Sequence, residues 1–572
     1  MRMLLYYIRP YTLKMLGGMF IKFVGAIMDL LIPWFLAYII DNIIPLRSVP
    51  QIFLWGGVML FCAVMAWTTN IAANRIAGWV SKSVVGNMRH DLFHKISDLS
   101  CAQIDGFSIP SLISRVTSDS YNIHSMIGML QRMGIRAPIL LLGGVAVTLT
   151  LEPALAMVLI AMMPPLAVII VCVSRKGIPL YASLQKGIDR MVQVVRENII
   201  GIRVIKALSK TDYEKGRFEG INTEVVRREK KAGLTMAVTN PSMNLFLNLG
   251  LTLVILVGAF RVDAGVSQAG KIIAFMSYFT IILNALMAIN RIFVMCSKGI
   301  ASANRIAEVL NTRPDLRVIP EDTAEEDPPH VSFDKVCFSY TGTERTLTDI
   351  SFSLKKGETL GIIGATGAGK TAVINLLMRL YEADSGEIRI DGRKVSAIPP
   401  EELHTKFGIV FQHDVIFADT VAENISFGRD IPLERLEEAA RDAQALEFID
   451  ALPGRFDYEL AIKGSNLSGG QKQRLLIARA LAGDPEILVL DDSSSALDYK
   501  TDAKLRQALR EKYAGTTTII IAQRISSILH ADHILVLEDG REIGYGTHEQ
   551  LMEECESYRE ISQSQMGGGD IG

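Results

Sequence analysis

Two hydrophobic rhythms divide the chain. Up to about residue 310, apolar residues gather near 15–40, 52–79, 134–151, 154–173, 234–260 and 272–296. Each stretch is close to the ~20 residues that cross a hydrocarbon core of about 30 Å. Beyond residue 330 the runs shorten to strand length, as in TLGII (359–363) and ILVL (487–490), and alternate with helical patterns. The pattern predicts a multidomain chain: an all-α transmembrane domain with six spans over 1–310, a linker over 311–330, and an α/β domain over 331–572. The linker, NTRPDLRVIPEDTAEEDPPH, is acidic, proline-bearing and poor in large hydrophobes.

Polar residues inside the spans sharpen this reading. Asp29, Arg136, Asn240, Asn244, Asn248, Asn284 and Asn290 are costly in lipid, so each faces either a packed bundle interior or a wet cavity. Interhelical hydrogen bonding and substrate lining both account for them. Pro33, Pro138 and Pro164 read as tolerated kinks. The LEP at 151–153 leaves room only for a tight hairpin between the third and fourth spans. Apolar spacing in MVQVVRENIIGIRVIKAL continues the helices well below the membrane as long arms.

Charge sets the expected orientation. Residues 174–231 hold 14 Lys/Arg against 7 Asp/Glu, whereas the connections 41–51 and 261–271 hold one and two basic residues. The positive-inside bias therefore puts the long loops, both ends of the membrane half and the α/β domain in the cytoplasm. Net charge is −2 over 572 residues, which gives no argument for nucleic acid. Mean hydropathy is +0.27, high for a soluble protein. The six cysteines lack CxxC or metal-ligand spacing and read as small hydrophobes. The N-terminal apolar stretch runs from Met15 to Ile40, too long for a signal-peptide core, and reads as a retained membrane segment.

The chemistry lies in the second half. GATGAGKT (364–371) follows a short strand and opens the helical pattern AVINLLMRL, so it satisfies GxxxxGK[ST] in strand, loop, helix context. Backbone N–H groups of Gly364, Ala365, Thr366, Gly367, Ala368 and Gly369 would close around phosphate oxygens. Lys370 would reach the β and γ phosphates of ATP, and Thr371 would ligate Mg²⁺. The strand ILVL ends in Asp491, where a P-loop ATPase places a carboxylate that helps hold Mg²⁺, and Asp492 follows where a base for the attacking water would sit. Between them LSGGQ (467–471) opens the basic helix QKQRLLIARALA and suits phosphate contact at a helix N-terminus.

In the order and spacing of these motifs the chain resembles the ABC transporters, specifically exporters whose six-span membrane domain is fused to its ATPase. That resemblance implies an α/β P-loop ATPase domain of ABC type. It also implies that Ser468, Gly469, Gly470 and Gln471 seal the ATP site of an opposite subunit, so that one chain cannot complete a site. Carried over position by position, Tyr340 matches the aromatic that stacks on adenine, Gln412 the glutamine that contacts Mg²⁺, and Asp498 the residue of SALD (495–498) that crosses to the other subunit. FSIPSLISRVTSD (107–119) and KALSKTDYEKGRF (206–218) resemble the segments that carry short coupling helices, and MRMLLYYIRPY resembles a short interfacial helix.

Two positions depart from the family pattern. Hydrolytically competent members carry Glu after the metal-binding aspartate and His in a later motif, where this chain has Asp492 and Gln523. Asp is one methylene shorter than Glu, and a neutral amide has neither the proton exchange nor the cationic form of imidazole. The resemblance then implies the degenerate-site subunit of a heterodimeric bacterial exporter of amphipathic, for example multidrug-type, substrates in the plasma membrane, its partner a different chain bearing Glu and His. A homodimeric exporter or lipid flippase with slow ATPase is the alternative within transport, and an ATP-gated channel or sensor the alternative outside it. Ile462 stands where many exporters carry Glu. With about a dozen residues before the first span, no N-terminal peptidase domain is expected.

Overall fold

The computed structural model describes residues 2–319, 328–340, 342, 344–412, 414–493 and 496–566. The middle of the expected linker and Ser495 of SALD therefore lie outside the described residues. The chain separates into two compact units, one of Met1–Ser97 with Pro110–Thr312, the other of Asp98–Ile109 with Arg313–Gly572.

The first unit is all helix. Among the described residues six helices are long and apolar enough to cross a membrane, spanning Arg2–Leu46, Val49–Ser97, Ile109–Leu151, Pro153–Ile200, Thr211–Asp263 and Ala269–Leu310. The 49 residues of Val49–Ser97 rise ~74 Å at 1.5 Å per residue, more than twice a bilayer core, so the arms expected from the apolar spacing are present. Between the third and fourth helices Glu152 alone is extended, making the tight hairpin. It is buried and pairs with Arg261 at 2.7 Å. Phe20, Phe61, Trp67, Phe260 and Phe293 are exposed, as side chains that meet lipid would be.

Close packing in this unit depends on small residues and internal polar links. A Cβ on Gly250 would lie 2.2 Å from the Phe279 ring, so only glycine admits that crossing. Tyr278 is fully buried and its hydroxyl donates to the Leu30 carbonyl at 2.6 Å. Asp41 accepts the Gly270 N–H at 2.6 Å, satisfying an orphan donor in the first turn of the sixth helix. Asp29 and Arg136 pair with each other at 2.9 Å, the packed-interior reading of those two positions. Asn244, Asn248 and Asn284 instead stand exposed.

Among its described residues the second unit holds one ten-stranded sheet. The strands are β1 (Val331–Phe338), β2 (Leu347–Leu354), β3 (Thr359–Gly364), β4 (Ser385–Ile390), β5 (Arg393–Lys394), β6 (Phe407–Val410), β7 (Ile487–Asp491), β8 (Thr517–Ile521), β9 (His533–Glu538) and β10 (Arg541–Gly546), in the order β5-β4-β1-β2-β10-β9-β3-β8-β7-β6. β3, β6, β7, β8 and β9 run parallel. Their sequences are continuous apolar runs because both faces are covered, and all five residues of β7 are buried. β1, β2, β4 and β5 pair antiparallel at the other end of the sheet.

The same unit includes the short helix Cys101–Phe107, capped by a reciprocal Ser100–Gln103 box. Its Asp105 accepts from the Tyr381 hydroxyl at 2.6 Å, and Gln103 donates to the Arg313 carbonyl at 2.7 Å. Of the segment 107–119, residues 107–109 fall in this unit, and the rest belongs to the long third helix, Ile109–Leu151. A positive φ at Ser108 divides the short helix from the long one that follows. The second segment holds the end of a short helix, Ile202–Ala207, between two long arms.

Candidate functional site

β3 delivers the glycine-rich loop, and the helix Lys370–Leu377 leaves it. Gly364, Gly367 and Gly369 all have positive φ. A Cβ on Gly364 would lie 2.1 Å from the Leu537 carbonyl oxygen, and one on Gly369 2.6 Å from Leu347, so those two are set by packing. Gly367 has nothing within 4 Å of such an atom, so its backbone faces open space. The loop is thus held from behind and open in front, the form needed to cradle an anion.

Lys370 folds over this loop, donating to the carbonyls of Gly364 and Ala365 at 2.8 Å each. Burial lowers its pKa, against the attraction of Asp491 and Asp492. The Thr371 hydroxyl donates to Asp491 at 3.1 Å across the β3–β7 gap. Burial pushes the Asp491 carboxyl up, the Thr371 hydrogen bond opposes that, and the neighbouring Asp492 charge adds to it. A buried carboxylate beside a threonine hydroxyl at an open loop of N–H groups fits Mg²⁺ with a polyphosphate, since the cation would supply the counter-charge Asp491 lacks.

Asp492 leaves β7 with φ +50, a left-handed turn that Asp tolerates. Its N–H is held by the Ile521 carbonyl at 3.0 Å, and its Oδ2 accepts the Gln523 side-chain amide at 3.0 Å. The two departures from the family pattern thus touch each other. Burial raises the Asp492 pKa, while Lys370 and Arg524 pull it down.

Tyr340, Lys370, Thr371, Gln412, Asp491, Asp492 and Gln523 line one cleft with the loop. Tyr340 is 46% exposed, packs edge-on against Phe338 and Tyr381, and accepts a hydrogen bond from Asn375 at 3.0 Å. Ser468, Gly469, Gly470, Gln471 and Asp498 are not among the residues lining it. Ser468 and Gln471 cap the helix Gly469–Ala482 reciprocally, and Asp498 caps Tyr499–Lys512 through Thr501. Three participants escaped motif reading because no spacing marks them: Thr346 in the cleft wall, Asn375 behind Tyr340, and Gln565. The Gln565 side chain donates to the Gln523 carbonyl at 2.9 Å and accepts the Ile525 N–H at 2.8 Å. Ile462 is 74% exposed.

Sequence profiles place this geometry. That described as "ABC transporter transmembrane region" matches residues 15–286, and that described as "ABC transporter" matches residues 347–495. An uncharacterised ABC transporter ATP-binding protein of Bacillus subtilis, YfiB, is 37% identical over 570 residues, covering 99% of both chains. The chain belongs to the ABC transporters. An uncharacterised ABC transporter ATP-binding protein of Mycobacterium tuberculosis is 32% identical over 99% of this chain and 98% of its own. In fold, the transporter superposes on a bacterial Atm1-family ABC exporter solved with ATP bound, at TM-score 0.83 and 22% identity over 98% of this chain and 99% of that one. It is therefore a multi-pass membrane protein of exporter fold, with transmembrane and ATPase domains in one chain and ATP as the nucleotide its ATPase domain implies.

Proposed function

We propose that this transporter is one half of a heterodimeric exporter that moves an amphipathic or hydrophobic compound outward across a bacterial plasma membrane, and that its own ATP site binds nucleotide but hydrolyses it poorly. The observation that carries the reading is the Asp492–Gln523 hydrogen bond at the ends of β7 and β8. A carboxylate tied to a neutral amide, one methylene short of Glu, is a poor base for the attacking water.

Lys370 and the loop N–H groups would bind the phosphates, Tyr340 the adenine, and Thr371, Gln412 and Asp491 the Mg²⁺, whose charge would offset that of the phosphate oxygens. Ser468–Gln471 and Asp498 would serve the partner's site, consistent with their local capping and their absence from the cleft lining. In this reading a membrane domain would run to residue 310, a linker to 330 and a cytoplasmic ATPase domain beyond, with Asp98–Ile109 folded into the ATPase unit. Ile199, Ile200 and Ile202 stay exposed at the tip between two helical arms, a surface that a second subunit would cover. The exposed Asn244, Asn248 and Asn284 would line a cavity completed by that subunit.

The test is phosphate release by the purified chain in lipid nanodiscs, alone and with a co-expressed half-transporter of the same layout bearing Glu and His. The expected result is ATP binding with weak turnover alone and strong turnover with the partner. Strong turnover by the chain alone, abolished by Asp492→Asn, would instead make it a homodimer with a working base.

A further inference from the structure

At the opposite end of β7 from Asp491 lies a second convergence of ligand-type groups. His330, immediately before β1, is buried, with 2% of its side chain exposed. Its Nδ1 lies 2.7 Å from Thr517 Oγ1, which also accepts the Gly357 N–H at 3.0 Å, so the ring is fixed in orientation. Among the described residues its Nε2 has no hydrogen-bond partner. That atom points between Asp391 Oδ1 at 3.6 Å and Glu486 Oε2 at 3.9 Å, both too far for a hydrogen bond. One ligand atom from each residue falls within 4.8 Å of the others. Tetrahedral Zn²⁺ with bonds of about 2.0–2.1 Å separates its ligands by about 3.3 Å, so the two half-exposed carboxylates would close on His330 Nε2 by about 0.3 and 0.6 Å and on each other by at most about 1.5 Å, within reach of side-chain rotation.

We propose that His330, Asp391 and Glu486 form a binding site for a divalent transition-metal cation of the Zn²⁺ type that staples the two halves of the ATPase sheet. His330 and Asp391 flank β1 and β4, and the Asp391 N–H is already held by the His330 carbonyl at 2.9 Å. Glu486 precedes β7, and in strand order β2, β10, β9, β3 and β8 lie between β1 and β7. A bond to all three residues therefore closes a long circuit through the curled sheet. Burial lowers the His330 pKa, so the imidazole is a neutral ligand at neutral pH. The nucleotide cleft is not involved: Glu486 and Asp491 are separated by the length of β7, ~16 Å at strand rise.

The structure supplies the competitor as well. Lys406 donates to Glu486 at 2.7 Å and to Asp391 at 3.3 Å, and offsets one of the two carboxylate charges without satisfying His330 Nε2. A divalent cation displaces the Lys406 ammonium, so removing that ammonium strengthens cation binding. A purely structural role for Lys406 makes no such prediction.

The experiment titrates Zn²⁺ into the full chain in nanodiscs, EDTA-stripped, nucleotide-free and without a histidine tag. Calorimetry reads affinity, and thermal unfolding reads stability. One equivalent per chain is expected, retained in Asp491→Asn, weakened at least tenfold in Glu486→Gln and His330→Gln, and tightened about tenfold in Lys406→Gln. Added Zn²⁺ raises the unfolding temperature of the wild type and leaves that of His330→Gln unchanged. Absence of a stoichiometric equivalent overturns the proposal, as does binding indifferent to Glu486→Gln or weaker binding in Lys406→Gln. The last two variants alter partly exposed side chains and keep the test decisive if His330→Gln does not fold.

Discussion

The Asp492–Gln523 pair permits a gain-of-function test. Asp492→Glu advances the carboxylate by one C–C bond, ~1.5 Å, toward the cleft that Lys370 and Gln412 line. Gln523→His replaces the amide that now holds Oδ2 at 3.0 Å with an imidazole. A misplacement near 1 Å costs on the order of 10²-fold, so correcting it is worth ~2.7 kcal/mol of activation free energy. The opposing term is local. Position 492 sits at φ +50, where Glu lacks the tolerance of Asp and costs about 1 kcal/mol of folding stability. A domain stable by several kcal/mol absorbs that. The double variant, in nanodiscs with its partner subunit, should show kcat for phosphate release from this site raised about 10²-fold over wild type. Partner turnover is silenced by replacing the partner's catalytic Glu, and ATP affinity should change less than about threefold. The reasoning is refuted if wild-type turnover at this site already matches the double variant and Asp492→Asn abolishes it.

Other outcomes follow from neighbouring geometry. Asp491→Asn should remove Mg²⁺-dependent nucleotide binding yet raise the nucleotide-free unfolding free energy by roughly 0.5–2 kcal/mol, read by thermal denaturation, because it deletes a buried charge. The pH sign agrees: a carboxyl raised on folding makes the wild type lose stability as pH climbs from the ordinary carboxylate range through the raised value. That slope should be shallower in Asp491→Asn and in the Mg²⁺–ATP complex. Gly364→Ala places a Cβ 2.1 Å from the Leu537 carbonyl oxygen and should cost at least ~3 kcal/mol, seen as loss of folded protein on size exclusion. Asp119 is buried, accepting from Ser302 at 2.8 Å and from Arg305 Nε at 2.8 Å. Asp119→Ala should destabilise by about 2 kcal/mol in detergent thermal scans, less than for a fully buried pair because Arg305 is half exposed.

Much of this chain is local in origin and was legible as such. The spans rest on length and apolarity, the phosphate loop on glycines between a strand and a helix, and Asp491 on the end of a buried run. The short helix Cys101–Phe107 was not, because a helix that folds into the second unit carries no different periodicity from one that continues an arm. Only contacts of Gln103 and Asp105 with distant residues identify Cys101–Phe107. The intramembrane polar residues also divided only in three dimensions. Asp29 found Arg136, while Asn244, Asn248 and Asn284 found open surface.

By itself the sequence determined the family, the six spans, the nucleotide loop and the two substituted catalytic positions, because each depends on residue identity at short, fixed spacing. Tertiary structure alone decided that Asp492 and Gln523 bond to each other, that Gln565 holds the strand-end loop between them and Ile525, and that His330, Asp391 and Glu486 meet. Those residues lie tens to more than a hundred positions apart, and their juxtaposition arises from strand order and sheet curl, which short-range pattern does not encode.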